Sequence, residues 1–190
     1  MLSTGSGTVV VDGQHVLTNA HVVLTASGGV CSDYYVGFTE RFEDPPSRWV
    51  PAELVAYEAG PRDSEGNVSL PDLAVLRLSR RSGRTAVPVG VQRLEPGDEI
   101  VTLGFPGTGG ETMTLTRGAY SGMLESGDHD YIKTDADISP GNSGGAAFDG
   151  QGNFVGVPTA GSPPERGFTE VGLLIPAAEA TRFLARHVGD

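Results

Sequence analysis

Gly7-Thr8-Val9-Val10-Val11-Asp12-Gly13-Gln14-His15-Val16-Leu17-Thr18 is the stretch from which the rest of the chain can be read. Two runs rich in β-branched residues flank Asp12-Gly13, a dipeptide that favours the tight turn of a hairpin. Working outward, similar short runs of Val, Ile, Thr, Tyr and Leu recur between turn signals, about twelve strands in all, which is the pattern of a sandwich or barrel. The further candidates are 34–39, 49–58, 73–79, 99–104, 111–117, 119–124, 130–135, 144–148, 153–158 and 170–175. Two places read as helical. One is a single turn around Asn19 to Val23. The other is 176–187, with proline in its first turn, Glu179 early and Arg186 and His187 late, as a helix dipole prefers. The polar and then proline-containing residues 80–90 divide the strands into roughly equal sets, so they are expected to link two small barrels, 1–84 and 85–190, within one domain. The arginines of that linker, Arg80, Arg81 and Arg84, read as a solvated connector rather than a docking patch.

The bulk properties narrow the function. The chain has 190 residues, 28 of them Gly and 13 Pro, a turn-rich balance well above the usual share of about 12%. That length can bury a core and makes one ordinary domain. A formal net charge of -11 is the wrong sign for a phosphate-backbone binder or an anionic membrane surface, so no nucleic-acid partner is expected. No apolar run approaches the roughly 20 residues of a membrane span, and Met1-Leu2-Ser3-Thr4-Gly5 lacks the charged and apolar regions of a signal peptide. The single cysteine, Cys31, excludes an intramolecular disulfide and reads as a small packed thiol. His15 and His129 belong to no zinc-like spacing, so neither a metal nor another cofactor is expected.

Chemistry concentrates in three places. Ser139-Pro140-Gly141-Asn142-Ser143-Gly144-Gly145 sets a serine among glycines, which permit the unusual dihedrals and close approach that a nucleophile with backbone N–H groups around it requires. The same residues also fit the Gly-x-Ser-x-Gly elbow of another hydrolase class and ordinary Gly-Ser turns. Thr18-Asn19-Ala20-His21-Val22-Val23 puts a histidine directly after the hairpin in an apolar stretch, suited to general-base work or to a bland core imidazole. Ser69-Leu70-Pro71-Asp72-Leu73-Ala74-Val75-Leu76 puts a carboxylate at the mouth of an apolar strand, where it needs a partner unless it merely caps the turn after Pro71. The order His21, Asp72, Ser143 differs from subtilisin-type enzymes, which begin with Asp, and from α/β-hydrolases, which begin with Ser. The hydrolase elbow also fails because the one histidine after Ser143, His187, lies in the terminal helix.

With these pieces the sequence resembles the chymotrypsin-fold serine peptidases, and within them the bacterial HtrA/Deg-like branch without its PDZ domains. The resemblance rests on Gly5-Ser6-Gly7-Thr8, Leu17-Thr18-Asn19-Ala20-His21-Val22-Val23, Asp72-Leu73-Ala74-Val75-Leu76, Val101-Thr102-Leu103-Gly104-Phe105-Pro106-Gly107, Thr134-Asp135-Ala136 and Gly141-Asn142-Ser143-Gly144-Gly145, in family order over nearly the whole chain. It implies an all-β fold of two six-stranded antiparallel barrels with a C-terminal helix, His21 and Asp72 from the first barrel and Ser143 from the second. It implies a catalytic triad of His21, Asp72 and Ser143, an oxyanion hole of the Gly141 and Ser143 N–H groups, and Thr159 supporting the aspartate. It also places Asp137 at the base of the primary specificity pocket, with Gly161 and Gly172 on its walls.

That pocket has alternative readings. A carboxylate floor suits Arg or Lys; Ile138, Leu173 and Leu174 suit an apolar residue if Asp137 turns away; and Asp135 with Asp137 also reads as a solvated acidic edge. Asn142 departs from digestive relatives, which have aspartate there to pair with a freed N-terminus, so activation by that route is not expected. The resemblance implies a secreted or periplasmic setting, while the residues themselves leave the compartment open. A monomer is expected, and further domains of a longer parent protein are compatible with the resemblance. The expected function is a serine endopeptidase acting on polypeptides through an acyl-enzyme, with a basic residue as one option at the cleavage site. The rivals are a catalytically silent binding module of the same fold and an esterase without useful peptide cleavage. The polar insertions at 39–48 and 59–71 are candidates for bordering the cleft.

Overall fold

The computed structural model describes residues 4–25, 27–61, 71–107, 112–126, 129–162 and 171–189. The opening hairpin is present as β1 (Thr8–Val10) and β2 (His15–Thr18), paired antiparallel with Val10 opposite His15. Its loop is longer than the Asp12-Gly13 signal implied, running Val11-Asp12-Gly13-Gln14. Both Val11 (φ 58) and Gly13 (φ 79) are left-handed, and the Asp12 carboxylate closes the wider loop by accepting the Gln14 N–H at 2.9 Å and facing His15 Nδ1 at 2.9 Å. A β-branched residue in that region is strained, and the surrounding hydrogen bonds offset the cost.

After α1 (Ala20–Val23) come β3 (Tyr34–Phe38), β4 (Arg48–Ala59) and β5 (Asp72–Leu78), and the first sheet has the order β1-β2-β5-β4-β3. β5 is buried on both faces apart from Arg77, as its continuous Leu73-Ala74-Val75-Leu76 run demands. The second half supplies β6 (Glu99–Gly104), β7 (Thr114–Ser126), β8 (His129–Thr134), β9 (Ala146–Asp149), β10 (Phe154–Ser162) and β11 (Val171–Pro176), closed in the order β10-β11-β8-β7-β6-β9. The architecture is thus mostly β, a curled five-stranded sheet and a six-stranded barrel, consistent with the chymotrypsin fold. The first unit has five strands among the described residues rather than six. The outer side of β1 meets the connector, with Val87 donating its N–H to the Val9 carbonyl at 2.8 Å beside a parallel Val10–Val87 bridge.

Residues 111–117 and 119–124, read as two strands parted at Gly118, form one strand from Thr114 onward; 112 and 113 precede it and 111 lies outside the described residues. The ladder to β6 runs through Gly118, opposite Ile100, and a Cβ at 118 would come within 2.2 Å of the Ala136 nitrogen. The glycine therefore serves a close approach, not a turn. Two of the exposed connector arginines are also tied to the first sheet: Arg81 Nη1 donates to the Asp12 carbonyl and Arg84 Nη2 to the Thr39 carbonyl.

Three apolar clusters follow from this topology. One fills the sheet (Val16, Val23, Phe38, Val50, Leu76, Leu78) and one the barrel (Ile100, Ile132, Ile138, Val155, Leu174). The third is shared: Val10, Leu17, Leu73 and Val75 of the sheet meet Phe154, Val157 and Ile175 of the barrel and Phe183 and Leu184 of the terminal helix α2 (Ala177–His187). Both units are thereby held at the seam along which the chemical residues lie.

Candidate active site

β2 and β5 bring the first two chemical residues together. Thr18 sits opposite Ala74, so His21, just past the end of β2, and Asp72, the first residue of β5, emerge at the same end of the paired strands. His21 then contacts one carboxylate twice. Its backbone N–H donates to Asp72 Oδ1 at 2.9 Å and its Nδ1 lies 2.8 Å from Oδ2. The Asp72 side chain is 1% exposed and that of His21 31%, so the carboxylate is dry while the imidazole has one side open. Such a two-point hold fixes the ring's orientation and makes Nδ1 the protonated nitrogen, leaving Nε2 as the basic one. Asn19 adds a brace, donating from Nδ2 to the Asp72 carbonyl at 2.8 Å.

The barrel contributes Thr159 and Ser143. Thr159 is the extra residue of a bulge in β10: Pro158 pairs with Leu174 and Ala160 with Leu173, which leaves Thr159 out of the ladder. A bulge re-aims a side chain and frees its backbone groups. Here Thr159 Oγ1 donates to Asp72 Oδ2 at 2.8 Å, while its carbonyl accepts the Ser143 hydroxyl at 3.1 Å. One bulged residue therefore connects the carboxylate of the first unit to the serine of the second. Ser143 Oγ makes this bond rather than one to His21.

Ahead of β9, the turn Ser139-Pro140-Gly141-Asn142 is closed by the Asn142 N–H on the Ser139 carbonyl at 3.0 Å. Gly141 has φ 103, the signature of a type II turn, and an added Cβ would sit 2.6 Å from both the Gly107 nitrogen and the Phe105 oxygen. The peptides here are pinned in alternation. Gly107 donates to the Pro140 carbonyl at 3.1 Å, Gly145 to the Asn142 carbonyl at 2.9 Å and Gly144 to the Pro158 carbonyl at 2.9 Å. In a trans peptide the N–H points away from its carbonyl. The Gly141 and Ser143 N–H groups therefore face the side opposite these anchors, and neither is taken up by another group among the described residues.

Asn142 is 2% exposed behind the serine, with its side chain against Gly104. Asp137 is exposed, its carboxylate 3.3 Å from the Ser139 hydroxyl, and Asp135 is exposed beside it, while the alternating Ala136 and Ile138 are buried. Ile138 lies against Gly172, which pairs with Gly161 and with Thr134. Leu174 is fully buried in the barrel core and Leu173 packs on the shared core. Among the described residues no group of His, Cys, Asp and Glu side chains comes together as a metal site. Of the two insertions, Glu40, Arg41 and Phe42 line a groove that reaches Phe105, Pro106 and Gly107, and most of 59–71 lies outside the described residues. Cys31 is half-buried on that groove. Three contributors had no role assigned from sequence, Asn19, Gly107 and Ser6, the last donating its N–H to the Ser143 carbonyl at 2.8 Å; the signal available was their placement in the motifs around the chemical residues.

A curled sheet and a closed barrel meeting at His21, Asp72, Thr159 and Ser143 make the architecture of a trypsin-like peptidase. The sequence agrees: the chain belongs to the trypsin-like peptidase domain family, whose pattern matches residues 5–157. Among individual relatives, it is similar to the serine endoprotease DegS of Escherichia coli strain K12, 28% identical over 197 residues covering 98% of this chain and 48% of the relative. It is also similar to a probable periplasmic serine endoprotease, DegP-like, of Bartonella henselae, 33% identical over 193 residues covering 98% of this chain and 34% of the relative. The magnetosome formation protease MamE of Paramagnetospirillum magneticum matches at 29% identity over 97% of this chain and 24% of its own. The chain spans less than half the length of these curated relatives. Among the described residues no helix is long and apolar enough to cross a membrane.

Proposed function

We propose that this chain is a serine endopeptidase domain that cleaves polypeptides through an acyl-enzyme. The observation that carries the reading is Thr159, whose hydroxyl holds the carboxylate orienting His21 and whose carbonyl holds the Ser143 hydroxyl. In the reaction Ser143 Oγ leaves that carbonyl and attacks the scissile carbonyl carbon, and His21 Nε2 takes its proton. Hydrogen bonds between nucleophile and base often form only once substrate is bound. The tetrahedral oxyanion is received by the Gly141 and Ser143 N–H groups. Collapse expels the amine, which leaves with the proton from His21, and water then repeats the sequence to release the acid. Asp72 keeps the imidazole in the right tautomer and stabilises its charged form. The open side of His21 and the outward N–H groups of the turn weigh against a silent binding module.

For the residue on the acyl side of the cut, the buried Ile138 beside Gly172 supports a small or medium apolar side chain, with Arg or Lys as the alternative that the exposed Asp137 carboxylate would favour. The test is intact mass after incubation with a fluorophosphonate, comparing the parent with Ser143→Ala and His21→Ala. A single adduct, lost in both variants, is the expected result. No adduct on folded parent protein overturns the reading and returns the silent module. A peptide library then compares the parent with Asp137→Asn: unchanged selectivity for apolar residues is expected, and a preference for Arg or Lys that the variant loses overturns the pocket assignment.

A further inference from the structure

Every polar group of Ser6 is directed at the catalytic seam. Its N–H donates to the Ser143 carbonyl at 2.8 Å and its own carbonyl accepts Thr18 Oγ1 at 2.7 Å. Its hydroxyl donates to the Gly141 carbonyl at 2.6 Å and accepts the Phe105 N–H at 2.8 Å. The residue is 6% exposed, so none of these groups has water as a ready substitute. Ser6 precedes β1 and travels with the first sheet, whereas Gly141 and Phe105 belong to the barrel. Packing alone asks only for a small side chain at this point. The hydroxyl joins the two backbone segments a second time, beside the Gly107–Pro140 hydrogen bond.

Those two segments decide where the Gly141 N–H points. The Pro140 carbonyl is held by Gly107, two residues after Phe105, and the orientation of the Pro140–Gly141 peptide depends on Gly107 staying in reach. The Ser6 hydroxyl ties the start of the Phe105-Pro106-Gly107 segment to the carbonyl at the far side of the same turn. We infer that Ser6 is a positioning residue that locks the Ser139–Asn142 turn in its type II form and so keeps the Gly141 N–H facing the reacting carbonyl. The inference rests on the peptidase reading for its catalytic consequence, but its structural content stands apart from it. With Ala at position 6, the Gly141 carbonyl and the Phe105 N–H lose their partner together. Rotation of the Pro140–Gly141 peptide, which carries Gly141 to negative φ and reverses its N–H, then becomes accessible.

The experiment compares the parent, Ser6→Ala and Ser6→Thr, the last keeping a hydroxyl. Thermal unfolding first establishes that each variant folds. Removing a hole donor outright slows turnover by about 10²–10³, so loosening one is expected to slow the turnover of Ser6→Ala by about 10- to 100-fold with KM within threefold, and Ser6→Thr restores most of it. A peptide boronic acid, whose tetrahedral adduct uses the hole, weakens more than tenfold against Ser6→Ala, while a product peptide, which does not, changes less than threefold. Equal losses for both ligands, or an unchanged turnover rate, overturn the inference. If the parent itself turns over nothing, amide exchange in folded protein decides: faster exchange of the Asn142 and Gly107 N–H groups in Ser6→Ala supports the lock, and unchanged exchange overturns it.

Discussion

At the scale of the residue, Asp72 is defined by what donates to it. Oδ1 receives the His21 backbone N–H, and Oδ2 is shared by His21 Nδ1 and Thr159 Oγ1. Each of these partners donates in this arrangement, so Asp72→Asn must turn an NH2 toward at least one of them. The ring answers by exchanging its tautomer, which puts the proton on Nε2, where the base should be. Turnover is expected to fall by about 10⁴ with the fold intact, the size this change has in the archetype of the fold. Active-site titration with steady-state kinetics and a thermal melt checks it, and a loss below tenfold would remove His21 from the base role. Thr159→Val probes the same oxygen from the other side. A hydrogen bond to a charged group contributes about 1.5–3 kcal/mol, so the loss of activity is expected to be about 10- to 100-fold, with Thr159→Ser close to the parent. Asp72, His21 and Ser143 could be singled out as candidates because their residue types, order and apolar surroundings are written locally, and the structure sets His21 on Asp72. The partner of the Ser143 hydroxyl was not, since it depends on a carbonyl from another strand.

At the scale of the element, the turn proposed to receive the oxyanion depends on one dihedral. Gly141 at φ 103 has no room for a Cβ between Phe105 and Gly107, so Gly141→Ala is disfavoured twice, by conformation and by contact. The least costly escape is rotation of the Pro140–Gly141 peptide, which withdraws the donor. Turnover is expected to slow by about a hundredfold or more, with a melting temperature near the parent's, because the turn is exposed at Pro140 and lies outside the apolar clusters. Steady-state kinetics beside a thermal melt checks both, and a variant that turns over as fast as the parent would show that Gly141 is no donor. Elements of this kind mark where sequence reading succeeds and stops. The hairpin, the apolar β5 and the terminal helix follow from periodicity and composition. The bulge at Thr159, the unbroken β7 and the four-residue hairpin loop do not. Each is decided by a neighbour remote in sequence: Leu173 and Leu174 for the bulge, Ala136 for Gly118, Ser82 and Arg81 for the loop. Gly118 is the instructive case, because a glycine that permits close approach and one that makes a turn look alike in one dimension.

At the scale of the whole molecule, the site exists only while sheet and barrel keep their relative placement, since Asp72 and His21 come from one and Thr159 and Ser143 from the other. The shared apolar cluster supplies most of that cohesion, with α2 laying Phe183 and Leu184 on it. At the rim a polar clamp adds to it: Glu58 of β4 accepts from Arg186 Nε and Nη2 and lies 2.8 Å from His187 Nε2, so the first sheet is tied to the helix that ends the chain. Burial pushes the Glu58 carboxyl up, but the His187 and Arg186 bonds outweigh it and hold it below the ordinary glutamate value. A carboxyl lowered on folding contributes stability that is complete above its unfolded value, near 4.5, and is lost as pH falls through the folded value. Arg186 is 52% exposed, so solvent screens the pair and its contribution is expected to be about 1 kcal/mol at most. Glu58→Gln should therefore lower the melting temperature by at most about 2–4 °C at pH 6 and low salt. That gap should narrow in 1 M salt and close as pH falls below 4.5 and through the lowered folded value, where the parent's carboxyl becomes protonated as well. Melting curves of the two proteins from pH 3 to pH 6 check the sign: a gap that widens toward acid would mean that Glu58 is destabilising as a charge, and that the clamp holds the helix by packing alone.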